Sequence, residues 1–278
     1  MIQVKKVEKE NITNQSPLLK TNMRQLLNKV PEITAFFWII KILATTVGET
    51  AADFLNTNLN LGLTLTTFIM GGLLIATLFF QFKSKKYVPG IYWLAVVLIS
   101  IVGTLITDNL VDNLGVPLKT TTIIFSIALA ITFVVWYVSE RTLSIHSIVT
   151  TKREVFYWSA LLFTFALGTA AGDLVAEGLN IGYWKSAVMF VAMIGVVAIA
   201  FYVFKLHSVF AFWIVYILTR PLGASIGDFM SQARVNGGLA LGTVGTSAIF
   251  LLTILAVVIF LSITKKDQSP VVEDITIQ

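Results

Sequence analysis

The stretch "YWSALLFTFALGTAAGDLVAEGLNIG", Tyr157 to Gly182, decides the fold. It is apolar enough to lie in lipid, yet it carries Asp173 and Glu177 four residues apart. Three other segments align with it without a gap: "FWIIKILATTVGETAADFLNTNLNLG" from Phe37, "YWLAVVLISIVGTLITDNLVDNLGVP" from Tyr92 and "FWIVYILTRPLGASIGDFMSQARVNG" from Phe212. Each opens with an aromatic residue and a Trp (Trp38, Trp93, Trp158, Trp213). Ten residues later stands Gly48, Gly103, Gly168 or Gly223, and fifteen residues after the Trp stands Asp53, Asp108, Asp173 or Asp228. Agreement at four fixed positions in four segments is the signature of an internal repeat.

Around these motifs the chain is built for a membrane. Of its 278 residues 56% are hydrophobic and 13% charged, with mean hydropathy +0.84, whereas a soluble domain carries about 25% charged residues. Eight apolar runs reach, alone or through adjoining Gly, Ser and Thr, the length of roughly 20 residues that a spanning helix needs. The expected fold is an all-α integral membrane protein with eight transmembrane helices, arranged as four parallel two-helix repeats. An even number of crossings per repeat gives every repeat the same orientation, unlike the inverted repeats of many transporters. Trp-to-Trp spacings of 55, 65 and 55 divide the chain into two pseudo-symmetric halves. The expected boundaries are a polar tail over 1–30, repeats 1 and 2 over 31–140, a linker over 141–154, repeats 3 and 4 over 155–264 and a second tail over 265–278.

Charge sets the expected topology. Lys5, Lys6, Lys9, Lys20, Arg24 and Lys29 precede the first helix, "KSKKY", "ERTLSIHSIVTTKRE" and "KLHS" follow the second, fourth and sixth, and Lys265 and Lys266 follow the eighth. The intervening loops are rich in Asn and poorer in Lys and Arg. By the positive-inside rule both termini are cytoplasmic. The first 30 residues lack the pattern of a cleavable signal peptide. The motif Trp residues are expected to anchor the inner interface. The net charge of +5 then reflects topology and not nucleic-acid binding. With no cysteine, disulfides and thiolate metal sites are excluded.

The carboxylates carry the functional expectation. Fifteen residues of helix rise about 22 Å, so each Asp lies far across the membrane from its Trp. Glu49 stands one turn before Asp53, Asp112 one turn after Asp108 and Glu177 one turn after Asp173, and residues four apart share a helix face. Asp112 and Glu177 can instead cap helix ends. Intramembrane carboxylates generally line a bundle interior or an aqueous cavity, and clustered ones repel unless protons or cations intervene. The expected metal ligands are therefore Asp53, Asp108, Asp173, Asp228, Glu49, Asp112 and Glu177. Hydroxyls of Thr45, Thr46, Thr50, Thr104, Thr107, Thr169 and Ser225 stand nearby. Such oxygen donors suit a hard divalent or trivalent cation. Arg220 and Lys41 are the candidate coupling charges. Arg220 reads as an internal counter-charge, Lys41 also as a side chain snorkelling to the interface, and Pro221 as a break in the seventh helix. The motif glycines serve close helix packing or mark local unwinding.

Four tandem two-helix units with this Trp and Gly-x4-Asp pattern resemble a family of bacterial membrane proteins built on a repeat of unknown function, over residues 31–264. The resemblance implies a bacterial inner-membrane location and no particular activity. The leading expectation is a secondary-active transporter of a hard metal cation, a proton-coupled exporter with no permanently bound cofactor. Its partners would be membrane lipid and the metal cation, with no nucleic acid and with homo-oligomerisation left open. The alternatives are a cation channel or a non-transporting structural or sensory membrane protein. An intramembrane aspartyl protease needs two catalytic Asp where this chain has four equivalent ones, so no enzyme is expected.

Overall fold

A computed structural model describes residues 28–268 of the chain. The basic N-terminal residues up to Arg24 and the end of the C-terminal tail lie outside the described residues. The helices are α1 (Ala35–Asp53), α2 (Leu63–Lys83), α3 (Pro89–Asp108), α4 (Leu118–Glu140), α5 (Thr151–Asp173), α6 (Tyr183–Tyr202), α7 (Ser208–Ser231) and α8 (Gly242–Thr264). All eight are long and apolar enough to cross a membrane. The chain is an eight-helix membrane protein with four internal repeats.

Burial divides the helices into two classes. In α1, α3, α5 and α7, which carry the motifs, between 56% and 78% of the most hydropathic stretch is buried, against 17% to 22% in α2, α4, α6 and α8. The motif helices form a closed inner ring in the order α1, α3, α5, α7 and back to α1. The plain helices lie outside and turn residues such as Phe68, Ile75, Val138 and Ile263 outward. Each packs chiefly on the motif helix of the following repeat: α2 on α3, α4 on α5, α6 on α7, and α8 back on α1. No repeat is therefore complete by itself, and the fourth closes the ring on the first.

Glycine sets how closely the ring closes. A Cβ on Gly48 would overlap Ser100, one on Gly103 would meet Phe165, one on Gly168 would overlap Arg220, and one on Gly223 would overlap Thr45. Thr45, Ser100, Phe165 and Arg220 each stand three residues before their own motif Gly. Every motif Gly thus receives the equivalent residue of the next helix around the ring. All four glycines lie inside continuous α-helix, so they act by close approach and not by unwinding. The departure from α geometry comes after the Asp. Phe54–Asn58, Asn109–Asn113 and Leu174–Gly178 are single π turns, where the N–H groups of Leu59, Leu114 and Leu179 donate five residues back. The fourth repeat has none, because Gln232 is extended and ends α7.

Two further expectations are corrected. Helix α7 runs through Pro221 unbroken. Pro221 withdraws the donor to Ile217 C=O, and the helix carries on around it; nearby, the Thr219 hydroxyl donates to Tyr216 C=O (2.8 Å) and the Thr45 hydroxyl to Thr219 C=O (3.4 Å). The motif Trp residues do not chiefly face lipid. Trp93, Trp158 and Trp213 are buried, and each ring packs on the aromatic preceding the previous repeat's Trp. Ring-centroid distances are 5.7 Å for Phe37–Trp93, 5.6 Å for Tyr92–Trp158, 6.4 Å for Tyr157–Trp213 and 5.7 Å for Phe212–Trp38. This aromatic girdle closes the Trp end of the ring.

Segment 28–34 crosses that end. Lys29 Nζ donates to Glu154 Oε2 (2.7 Å) and to Phe82 C=O (3.0 Å). The backbone N–H of Glu32 donates to Asp267 C=O (2.9 Å), and the Tyr87 hydroxyl donates to Asp267 Oδ2 (2.6 Å). Burial pushes the Asp267 carboxyl above the usual carboxylate range.

Two predictions follow from this packing. Gly103→Ala places a methyl against Phe165 and should destabilise the detergent-solubilised protein by about 1–3 kcal/mol. The control Gly71→Ala, with open space around it, should be neutral or slightly stabilising, and thermal unfolding of both variants checks the contrast. Because the folded state favours protonated Asp267, its contribution is present at acid pH and is lost as pH rises through the carboxylate range to the raised folded value. Asp267→Asn should flatten that part of the stability–pH profile.

Candidate cation site

The ring places one residue type out of register with the rest. At the position three before the motif Gly, three repeats carry Thr45, Ser100 and Phe165, and the fourth carries Arg220. Gly168 leaves the room that the Arg220 stem fills. From α7 the guanidinium crosses the ring axis. Nε donates to Phe165 C=O (3.3 Å), Nη1 to Thr45 C=O (2.9 Å), and Nη2 to Glu49 Oε2 (3.3 Å), to Thr169 Oγ1 (2.7 Å) and to Thr104 Oγ1 on the diagonally opposite α3. Glu49, Thr104 and Thr169 are the residues immediately after the motif Gly in the first three repeats. One cation therefore ties together equivalent positions of α1, α3 and α5. Thr104 also donates to Glu49 Oε2 (3.3 Å) and lies 3.2 Å from the Thr169 hydroxyl.

The acids gather on the Asp side of this guanidinium. Carboxylate oxygens of Glu49, Asp173 and Asp228 lie within 4.8 Å of one another. Separations of that size are spanned by two metal–oxygen bonds of about 2.3–2.6 Å. Asp228 is only 7% exposed, and among the described residues no hydrogen bond or ion pair is made to its carboxylate. Asp53 and Asp108 lie within electrostatic range of Glu49 and of each other. Four carboxyl groups, those of Glu49, Asp173, Asp108 and Asp228, thus act on one guanidinium. In so confined a space they require protons or an added cation.

Two further carboxylates of the expected set stand at the edge of this group, within electrostatic range of Asp53. Asp112 and Glu177 lie exposed on the π turns at the rim, and Glu177 accepts a hydrogen bond from the Tyr183 hydroxyl (2.9 Å). Lys41 is fully buried and does not snorkel. Its Nζ lies 4.1 Å from the Phe165 ring centroid and 4.2 Å from that of Tyr216, with no hydrogen-bond acceptor among the described residues. Thr104 and Thr169, expected only as nearby hydroxyls, form the cradle of Arg220. Comparing the residue after each motif Gly (Glu, Thr, Thr, Ala) is the signal that would have found them.

The family described as "Repeat of Unknown Function (DUF347)" matches residues 36–87, 91–142, 156–206 and 211–267. The chain belongs to this repeat family, whose four matches each contain one motif helix and the plain helix after it. No curated protein and no solved structure matches the chain.

Arg220→Ala would leave Glu49 without its buried partner, a loss of about 3–5 kcal/mol for a pair of this kind. In a double-mutant cycle Glu49→Ala should recover part of that loss, whereas Arg220→Lys should recover little, because one ammonium cannot meet five divergent acceptors. Denaturant unfolding of the four proteins of the cycle and of Arg220→Lys measures both effects.

Proposed function

We propose that the protein is a secondary-active transporter of a hard metal cation, exchanging the cation for protons at the carboxylate cluster, and not an enzyme. The observation that carries this reading is the convergence of Glu49, Asp173 and Asp228 oxygens within 4.8 Å, with the Asp228 carboxylate taking no hydrogen bond among the described residues. Oxygen-only donors favour a hard divalent or trivalent ion. Arg220 acts as the resident cation, holding Glu49 when the transported ion is away and yielding it when the ion arrives. A guanidinium across the axis favours alternating states over a passive channel.

Basic residues support an inner-membrane orientation with cytoplasmic termini. Lys83, Lys85, Lys86, Arg141, Lys152, Arg153, Lys205, Lys265 and Lys266 lie at or near the Trp end, against Lys119, Lys185 and Arg234 near the Asp end, the bias that the positive-inside rule assigns to the cytoplasm. The carboxylates then face the outside of a bacterial inner membrane. Protons on that side neutralise them and release the cation outward, which is the direction of export.

Mn2+ binding to the purified protein tests the reading. Wild type should bind, Asp173→Asn and Asp228→Asn should each weaken binding at least about tenfold as a charged ligand is lost, and affinity should fall as pH drops because the ligands must be deprotonated. Absence of Mn2+ binding, or binding indifferent to both substitutions, contradicts it.

A further inference from the structure

The buried lysine is the charge that the cation site leaves unused. Lys41 stands three residues after its Trp, where the other repeats have Val96, Leu161 and Tyr216. Apolar and aromatic side chains fill this layer, so packing does not call for an amine. An ionisable group within a spanning segment is expensive and usually serves transport. Its side chain reaches from α1 across the axis to Phe165 on the diagonally opposite α5. Arg220 is the charged group that acts on it, and both cations lie over the face of the same Phe165 ring.

Hydroxyls continue below it toward the Trp end. Tyr216 packs directly on the lysine, and the hydroxyls of Tyr216, Tyr157 and Tyr92 are electrostatic neighbours. The Tyr92 and Tyr157 hydroxyls form a 2.5 Å hydrogen bond. Tyr87 packs edge-on against Tyr92, with centroids 5.5 Å apart, and its hydroxyl donates to Asp267. Above the lysine, the Thr104 hydroxyl is bonded to Glu49 and neighbours that of Thr169. Protonable side chains therefore occur in successive layers from the carboxylate cluster to the Trp-end surface, and Lys41, its Nζ without a hydrogen bond among the described residues, stands in the layer between the cluster and the lower tyrosines.

We propose that Lys41 is the proton carrier of the transport cycle, taking protons from the carboxylate cluster and passing them to the tyrosine layer. This rests on the cation–proton exchange reading. With Lys41 as the neutral amine, a carboxyl O–H bond breaks to leave a carboxylate and an N–H bond forms on the Nζ lone pair to give the ammonium. That N–H then breaks as a tyrosine hydroxyl accepts the proton and releases its own to the next hydroxyl, ending on the Asp267 carboxylate and then water. Arg220 stays protonated throughout, because guanidinium does not release its proton. The emptied carboxylates are then ready for the next cation.

The experiment uses the full chain in proteoliposomes with Mn2+ as substrate and a pH dye inside. Wild type should exchange Mn2+ for protons. Lys41→Met, which keeps length and apolar packing, should bind Mn2+ within twofold of wild type but lose at least tenfold of the coupled proton flux. Tyr157→Phe should reduce the same flux while leaving Mn2+ binding intact. Undiminished proton coupling in Lys41→Met overturns the proposal while leaving the cation site standing. Loss of Mn2+ binding in Lys41→Met also overturns it, since the lysine would then be serving the site's structure. A wild type that neither binds nor exchanges Mn2+ overturns the transport reading, and the lysine's role with it.

Discussion

One guanidinium holds the centre of the molecule. Arg220 reaches across the ring and is met by backbone carbonyls of α1 and α5 and by side chains of α1, α3 and α5. A charge so placed is tolerable in a membrane only when its donors are satisfied and its field is compensated. Both conditions require all four motif helices at close range. The glycine crossings bring the helices close enough, and the swapped outer helices keep each one next to its neighbour. The acid cluster follows, since Glu49 is at once a partner of Arg220 and a member of the carboxylate group beside it.

The layering along the axis explains why four equal repeats make an unequal site. At the aromatic layer the repeats differ little: Phe37, Tyr92, Tyr157 and Phe212 close the Trp end together. Moving toward the Asp end, three layers each carry one charged residue that breaks the fourfold pattern. Lys41 stands among Val96, Leu161 and Tyr216, Arg220 among Thr45, Ser100 and Phe165, and Glu49 among Thr104, Thr169 and Ala224. The Gly and Asp layers are uniform. The repeat supplies the scaffold and the carboxylates, and three single departures supply the chemistry that a symmetric ring lacks.

Much of this was legible in the sequence. The repeat, the eight spanning helices and the polar end of each motif followed from fixed spacings and hydropathy, because lipid imposes helix length and punishes unneeded charge. What was not legible depended on angular position. The Trp residues read as interface anchors because amphipathic rings commonly are; only the ring closure turns Trp93, Trp158 and Trp213 inward against a neighbour's aromatic. Pro221 read as a break because sequence does not show the packing that holds α7 continuous through it. Lys41 read as snorkelling from its nearness to a helix end, while its actual course crosses the axis. In each case the missing information was which neighbouring helix a side chain faces.

The most direct test of the central claim is a crystal structure of the protein with Mn2+, collected for anomalous scattering from the metal. One strong anomalous peak is expected, bounded by Glu49, Asp173 and Asp228, with Arg220 drawn away from Glu49. A peak confined to the exposed Asp112 and Glu177, or an Arg220–Glu49 pair unchanged with metal bound elsewhere, would contradict it.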